Sequence, residues 1–255
     1  MTAPRMTGGP LPPQRALRYL ALGDSYTIGE GVAPADRWPV QLAQALRAGG
    51  VMLGDPKIIA TTGWTTDELS AALDAFDARQ ASAPTPVGAA EAATPAPGIP
   101  AEAVAASAAP TGSRGGLGTW DFASLLIGVN NQYRGRGVDG YREEFTGLLG
   151  RAIGYAGGRA GRVLVLSIPD WGVTPFAARE GRDGARVARE IDAFNAAARD
   201  ACERHGVAFV DITPASRDGG GDAGMVVDDG LHPSAAMYAR WTRLALPVAR
   251  GMLAP

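Results

Sequence analysis

Cysteine is almost absent from this chain of 255 residues, since Cys202 stands alone. No internal disulfide can form, so the fold must rest on its core, and a single thiol agrees with a reducing compartment. Histidine is nearly as scarce, with only His205 and His232. A metal centre assembled from several imidazoles or thiolates therefore lacks its ligands. Long apolar runs are missing too: none approaches the roughly 20 residues that cross a bilayer. The stretch 1–13 is rich in Pro, Gly and Thr and has no apolar segment of signal-peptide length. The expectation is a soluble, cytoplasmic protein without stable membrane insertion. Basic clusters are absent as well. With 24 Lys and Arg against 26 Asp and Glu, the net charge of −2 argues against nucleic acid as a partner.

What the chain does have is alternation. Apolar runs at Tyr19–Leu22, Lys57–Ala60, Phe122–Ile127, Val163–Ile168 and Val207–Ile212 are separated by segments of helical spacing. Alternating strands and helices predict a parallel sheet covered on both faces. The clearest helix is Ala185–His205, where Val187, Ile191, Phe194, Ala198 and Cys202 recur at steps of three and four, with Gly206 as C-cap. Others are expected over Tyr141–Tyr155, over Asp67–Phe76 with Thr65 or Thr66 as N-cap, and over Pro233–Met252. The last starts at Pro233 and turns Met237, Trp241, Leu244 and Val248 inward. Cys202 on an apolar helix face reads as a buried thiol, and His205 as a helix-end side chain meeting free carbonyls. We expect a flexible segment over 1–16 and one domain over 17–255. That domain is interrupted at 79–118 by a run of Ala, Pro, Gly, Ser and Thr with too little apolar bulk to order itself, read as a disordered insertion or a lid.

In such a sheet, reactive groups gather at the carboxyl ends of the strands. Gly23-Asp24-Ser25 follows the first strand, Thr61-Thr62-Gly63-Trp64 the second, Gly128-Val129-Asn130-Asn131 the third and Pro169-Asp170-Trp171 the fourth. Asp229-Gly230-Leu231-His232-Pro233 follows the fifth. A serine hydroxyl is a poor nucleophile until a base takes its proton, and His232 is the histidine placed to do so. Asp229, three residues earlier, is within reach of its imidazole; alone, this pair reads equally as a helix cap beside a solvated histidine. The backbone N–H groups of Ser25 and Gly63 and the Asn130 carboxamide are candidate donors to an oxyanion, and Gly63 and Asn130 read equally as turn residues.

The four blocks together resemble the GDSL, or SGNH, family of serine hydrolases. Gly23-Asp24-Ser25-Tyr26-Thr27-x-Gly29 resembles its first block, Gly63 and Asn130 stand where its glycine and asparagine stand, and Asp229-Gly230-Leu231-His232-Pro233 resembles its last. Tyr26 replaces the usual leucine, and Asn131 stands where an aspartate is usual. The resemblance implies a three-layer α/β/α sandwich with a flavodoxin-like, five-stranded parallel sheet. It also implies hydrolysis of an ester or thioester through an acyl-enzyme, without metal or cofactor. Ser25, Asp229 and His232 would form the triad; Ser25, Gly63 and Asn130 the oxyanion hole. Asp24, Tyr26, Trp64, Asn131 and Trp171 are weaker candidates for contact with a small acyl ester. Two other readings stay open: a flavodoxin-like flavin-binding protein, which leaves Asp229 and His232 without a role, and a catalytically silent binding domain on the same fold.

Overall fold

The computed structural model describes residues 15–82 and 119–254. Five strands form one parallel sheet in the order β2-β1-β3-β4-β5. They are β1 (Tyr19–Gly23), β2 (Lys57–Ala60), β3 (Phe122–Leu126), β4 (Val163–Leu166) and β5 (Ala208–Val210). This is the doubly wound order of the flavodoxin-like sheet. β1 and β3 at its centre are buried along their whole length, which is why they read as unbroken apolar runs.

Helices cover both faces. On one, α2 (Trp38–Ala48) packs against the C-terminal α9 (Ala235–Leu253); on the other, α5 (Val138–Tyr155) packs against α7 (Gly184–His205) and α3 (Thr66–Ser82). Short helices α1 (Ser25–Ile28), α4 (Val129–Tyr133), α6 (Pro175–Arg179) and α8 (Thr213–Gly219) sit between them. The α5–α7 contact is made by stacked rings of Tyr141 and Phe194, 4.6 Å between centroids. α7 starts where the Asp183 carboxylate accepts from the Arg186 N–H at 3.0 Å and ends at Gly206 with φ 66°, a left-handed cap. Its Cys202 is fully buried, and burial pushes the thiol up to about 12, so it is inert. His205 Nδ1 lies 2.8 Å from the Ala201 carbonyl, as expected of a helix-end histidine.

Some boundaries differ from the sequence reading. α3 runs six residues past Phe76 to Ser82. The helix therefore takes in the first four residues assigned to the insertion, because Asp77 and Arg79 continue its polar face and Asp77 accepts from the Tyr155 hydroxyl at 2.7 Å. Glu68 receives the Thr65 N–H at 2.9 Å, half of a capping box, so Thr65 and not Thr66 precedes the helix. Arg15, placed in the flexible segment, grips Asp121 with both terminal guanidinium nitrogens, Nη1 and Nη2, at 2.7 and 2.9 Å. In α9, Ser234 is the N-cap and Pro233 lies outside the helix, while Leu244 is 43% exposed. Met237 and Trp241 are buried as expected, Val248 is half-buried, and the inward stripe is completed by Tyr238, Ala245 and Ala249. The rest of the N-terminal segment, 1–14, and of the insertion, 83–118, lies outside the described residues.

Gly23 ends β1 where the chain is most tightly packed. A Cβ there would overlap both the Leu126 carbonyl of the adjacent strand and the Thr27 hydroxyl. Since backbone cannot yield as a side-chain tip does, Gly23→Ala is expected to lower the free energy of unfolding by about 1–3 kcal/mol, read as a lower urea midpoint. An unchanged midpoint would mean that β1 and β3 can part there.

Candidate active site

Three loops converge on the carboxyl end of β1. Directly after Gly23, the Asp24 carboxylate accepts the Tyr26 N–H at 3.0 Å and starts the single turn of α1, which Gly29 closes in a left-handed conformation with φ 72°. Ser25 is the first residue of that turn, where an N–H has no partner inside a helix. Its N–H has no acceptor among the described residues either. After β2, Gly63 takes φ 86°, its carbonyl held by Arg134 at 2.7 Å and its N–H likewise without an acceptor among the described residues. After β3, Gly128 takes φ 127°, and a Cβ there would come within 2.5 Å of the Tyr141 ring. This turn brings Asn130 to the β2 loop, where one amide hydrogen bonds the Trp64 carbonyl at 2.8 Å.

The fourth contribution comes from the turn before α9. Asp229 Oδ1 accepts the N–H groups of Leu231 and His232 at 2.7 and 2.9 Å, and Oδ2 lies 2.5 Å from His232 Nδ1. Burial would raise the Asp229 carboxyl, but the imidazole and those two amides outweigh it and hold the group below its usual range. An ionised carboxylate at that distance accepts a hydrogen bond from Nδ1–H, which orients the ring. The turn is clamped from α6: the Phe176 N–H donates to the Gly230 carbonyl at 2.9 Å, and Arg179 Nη2 donates to the Asp229 carbonyl at 2.5 Å. Nothing in the spacing marks Arg179, fifty residues upstream of Asp229, as part of this arrangement.

Ser25, Gly63, Asn130 and His232 line one cavity of about 220 Å³, with Tyr26 and Trp171 among its apolar walls. The remaining sequence candidates stand apart from it. Asn131 is 1% exposed, its Oδ1 accepting the Thr66 N–H at 3.1 Å and its Nδ2 donating to the Thr66 hydroxyl at 2.6 Å. A carboxamide supplies both the acceptor and the donor, whereas an ionised carboxylate could only accept. Asn131 thus ties α4 to the start of α3 and does not touch ligand space. Trp64 packs against the core and contributes only its carbonyl. Asp170 is spent on the Gly172 N–H and on Arg217, both at 2.8 Å. Asp24 is wholly buried next to the serine, with one carboxylate oxygen lacking any partner among the described residues. Among the described residues no cluster of His, Cys, Asp and Glu could hold a metal ion, and no helix is long and apolar enough to cross a membrane.

The model of the GDSL-like Lipase/Acylhydrolase family matches residues 21–240. This chain belongs to that family. The GDSL-like fold is shared with solved structures of low sequence identity. TesA is 18% identical, with a TM-score of 0.59 over 92% of this chain and 99% of that one. A lipase/acylhydrolase from Enterococcus faecalis is 19% identical, with a TM-score of 0.58 over 94% and 98%. A variant of the acetyl xylan esterase Axe2 from Geobacillus stearothermophilus is 17% identical, with a TM-score of 0.59 over 92% and 95%. No curated protein sequence matches the chain. Membership of the GDSL-like family supports the hydrolysis of esters.

Burial raises the Asp24 carboxyl from 3.8 to about 7 against the Tyr26 amide bond that opposes it. Between those values the folded chain holds a proton that the unfolded chain has lost, so stability falls as pH rises through that window. The full change is on the order of 4 kcal/mol. Asp24→Asn cannot titrate there. Its urea midpoint relative to wild type is expected to rise from pH 4 to pH 7; a constant difference would return Asp24 to an ordinary pKa.

Proposed function

We propose that this protein is a serine hydrolase that cleaves carboxylic esters through an acyl-enzyme. The observation that carries the reading is the 2.5 Å contact of Asp229 with His232 Nδ1, in a turn whose histidine shares a cavity with Ser25. In this reading His232 Nε2 takes the Ser25 proton as Oγ bonds to the acyl carbon. The carbonyl π electrons become an oxyanion that the Ser25 and Gly63 N–H groups and the second Asn130 amide hydrogen receive. His232 then returns the proton to the departing oxygen, the C–O bond breaks and the alcohol leaves. Water, deprotonated by the same imidazole, attacks the acyl-serine, and the proton passes back to Ser25 as the acid departs.

The availability of those donors supports the assignment, because a donor already engaged within the protein would have to be released before it could meet the developing charge. The cavity is smaller than the roughly 300–1,000 Å³ of sites for drug-sized ligands, which favours a short acyl group. A soluble, cytoplasmic enzyme acting on a small diffusible ester fits this reading.

Hydrolysis of p-nitrophenyl esters from acetyl to palmitoyl, by wild type and Ser25→Ala together, tests it. We expect kcat/KM to peak at short chains, and Ser25→Ala to lose about 10³-fold or more together with labelling by a fluorophosphonate. Turnover that survives in Ser25→Ala would remove the serine from the mechanism. The clamp on the histidine turn gives a second test. Gly230 has φ 71°, and a Cβ there would lie 2.7 Å from Arg179 Nη1. Gly230→Ala is expected to lower kcat about tenfold or more with KM little changed, since it displaces the base and not the acyl pocket. Wild-type kcat would show that Arg179 does not position the turn.

A further inference from the structure

Beyond the rings of Tyr133 and Trp171, the cavity that holds Ser25 adjoins a second hollow of about 560 Å³. Both rings line both spaces. They meet edge to face with centroids 5.3 Å apart, forming the partition between the two. The Trp171 side of this partition is fixed from below, where the indole N–H donates to Gln132 at 2.7 Å.

The charged groups of the second hollow are not all paired. Three guanidinium groups, Arg136, Arg182 and Arg186, line it with two carboxylates, Asp183 and Glu190. Arg186 is held by Glu190 at 2.8 Å, and Arg136 by Asp67 at 2.6 Å. Asp183 is used as the cap of α7. Arg182 has no carboxylate within ion-pair distance among the described residues, and its guanidinium donates no hydrogen bond to them. It lies instead over the partition, 5.0 Å from the Tyr133 centroid and 5.6 Å from that of Trp171. Aromatic faces hold a guanidinium through its flat side, leaving its N–H edge available to a ligand.

We infer that Arg182 binds an anionic group, a phosphate or a carboxylate, carried on the leaving-group side of the ester. This rests on the ester-hydrolase reading. The acyl chain occupies the smaller, apolar cavity beside Ser25; the alcohol portion crosses the Tyr133–Trp171 partition and presents its charge to Arg182. A planar fork of donors matches either anion in a bidentate manner. Arg182 is the guanidinium of this lining without a carboxylate on it among the described residues, which favours an anion over a neutral alcohol.

Matched esters of one acyl group test the inference on the full chain: 1-butyrylglycerol, 1-butyrylglycerol 3-phosphate and O-butyryl lactate. The quantity read is the ratio of kcat/KM for each anionic ester to that for the neutral one. Wild type is expected to favour an anionic ester, and Arg182→Gln to lower that ratio about tenfold or more, with Arg182→Lys between them because it keeps charge but loses the fork. The ester with the larger Arg182-dependent ratio tells phosphate from carboxylate. Equal ratios in wild type and Arg182→Gln would overturn the inference while leaving ester hydrolysis intact. Binding of glycerol 3-phosphate and of lactate to Ser25→Ala, measured by calorimetry, separates the two failures. Binding to Ser25→Ala that Arg182→Gln abolishes, with no turnover by wild type of these esters or of the p-nitrophenyl series, would keep the anion site and overturn the hydrolase reading. Binding of neither anion would overturn the anion site.

Discussion

The close approach of β1 and β3 at Gly23 is the constraint on which the rest of the site depends. Gly23 stands opposite Leu126 in the sheet, and the Leu126 carbonyl occupies the space where any side chain at position 23 would begin. The two strand ends therefore deliver their loops at a fixed separation. One loop carries Ser25 and the other Asn130, so the candidate nucleophile and a candidate oxyanion donor are spaced by backbone packing and not by contact between their side chains. The Asn130 bond to the Trp64 carbonyl then brings the Gly63 loop into the same frame.

The histidine arrives by another route. Its turn belongs to the chain before α9, and its position is set by the Asp229 carboxylate from within and by α6 from outside. His232 is thus suspended between a local hydrogen-bonded turn and a helix from elsewhere in the chain, while Ser25 is anchored at the end of a sheet strand. Distortion of α6 would be felt at His232 before it reached Ser25.

How much of this was legible in the sequence follows the range of each interaction. The strands were readable because each buried strand is a short apolar run ended by turn residues, and α7 because one face repeats through all its turns. The candidate catalytic residues stood out through local motifs, and Asp229 with His232 is itself a local contact. What depended on distant partners was not legible. Leu244 fits an inward stripe by spacing, yet the axis of α9 turns it out and Tyr238 in. Asn131 was a candidate for ligand contact because it stands in the third motif block beside Asn130, but successive residues on a helix point in different directions, and Thr66 claims it. Arg179 and Arg182 are ordinary arginines until α6 and the loop after it place them.

The two ends of the sheet carry different burdens. α3 begins at Thr66 beside the Gly63 loop and, at 1.5 Å per residue, its 17 residues carry the chain about 25 Å away from that edge. There Asp77 meets Tyr155, whose carbonyl in turn receives the Trp120 N–H just before β3 begins. Ser82 and Thr119, the residues that flank 83–118, thus belong to the edge remote from Ser25. The loops around Ser25 and the two residues that flank 83–118 thus hang from opposite ends of the same strands.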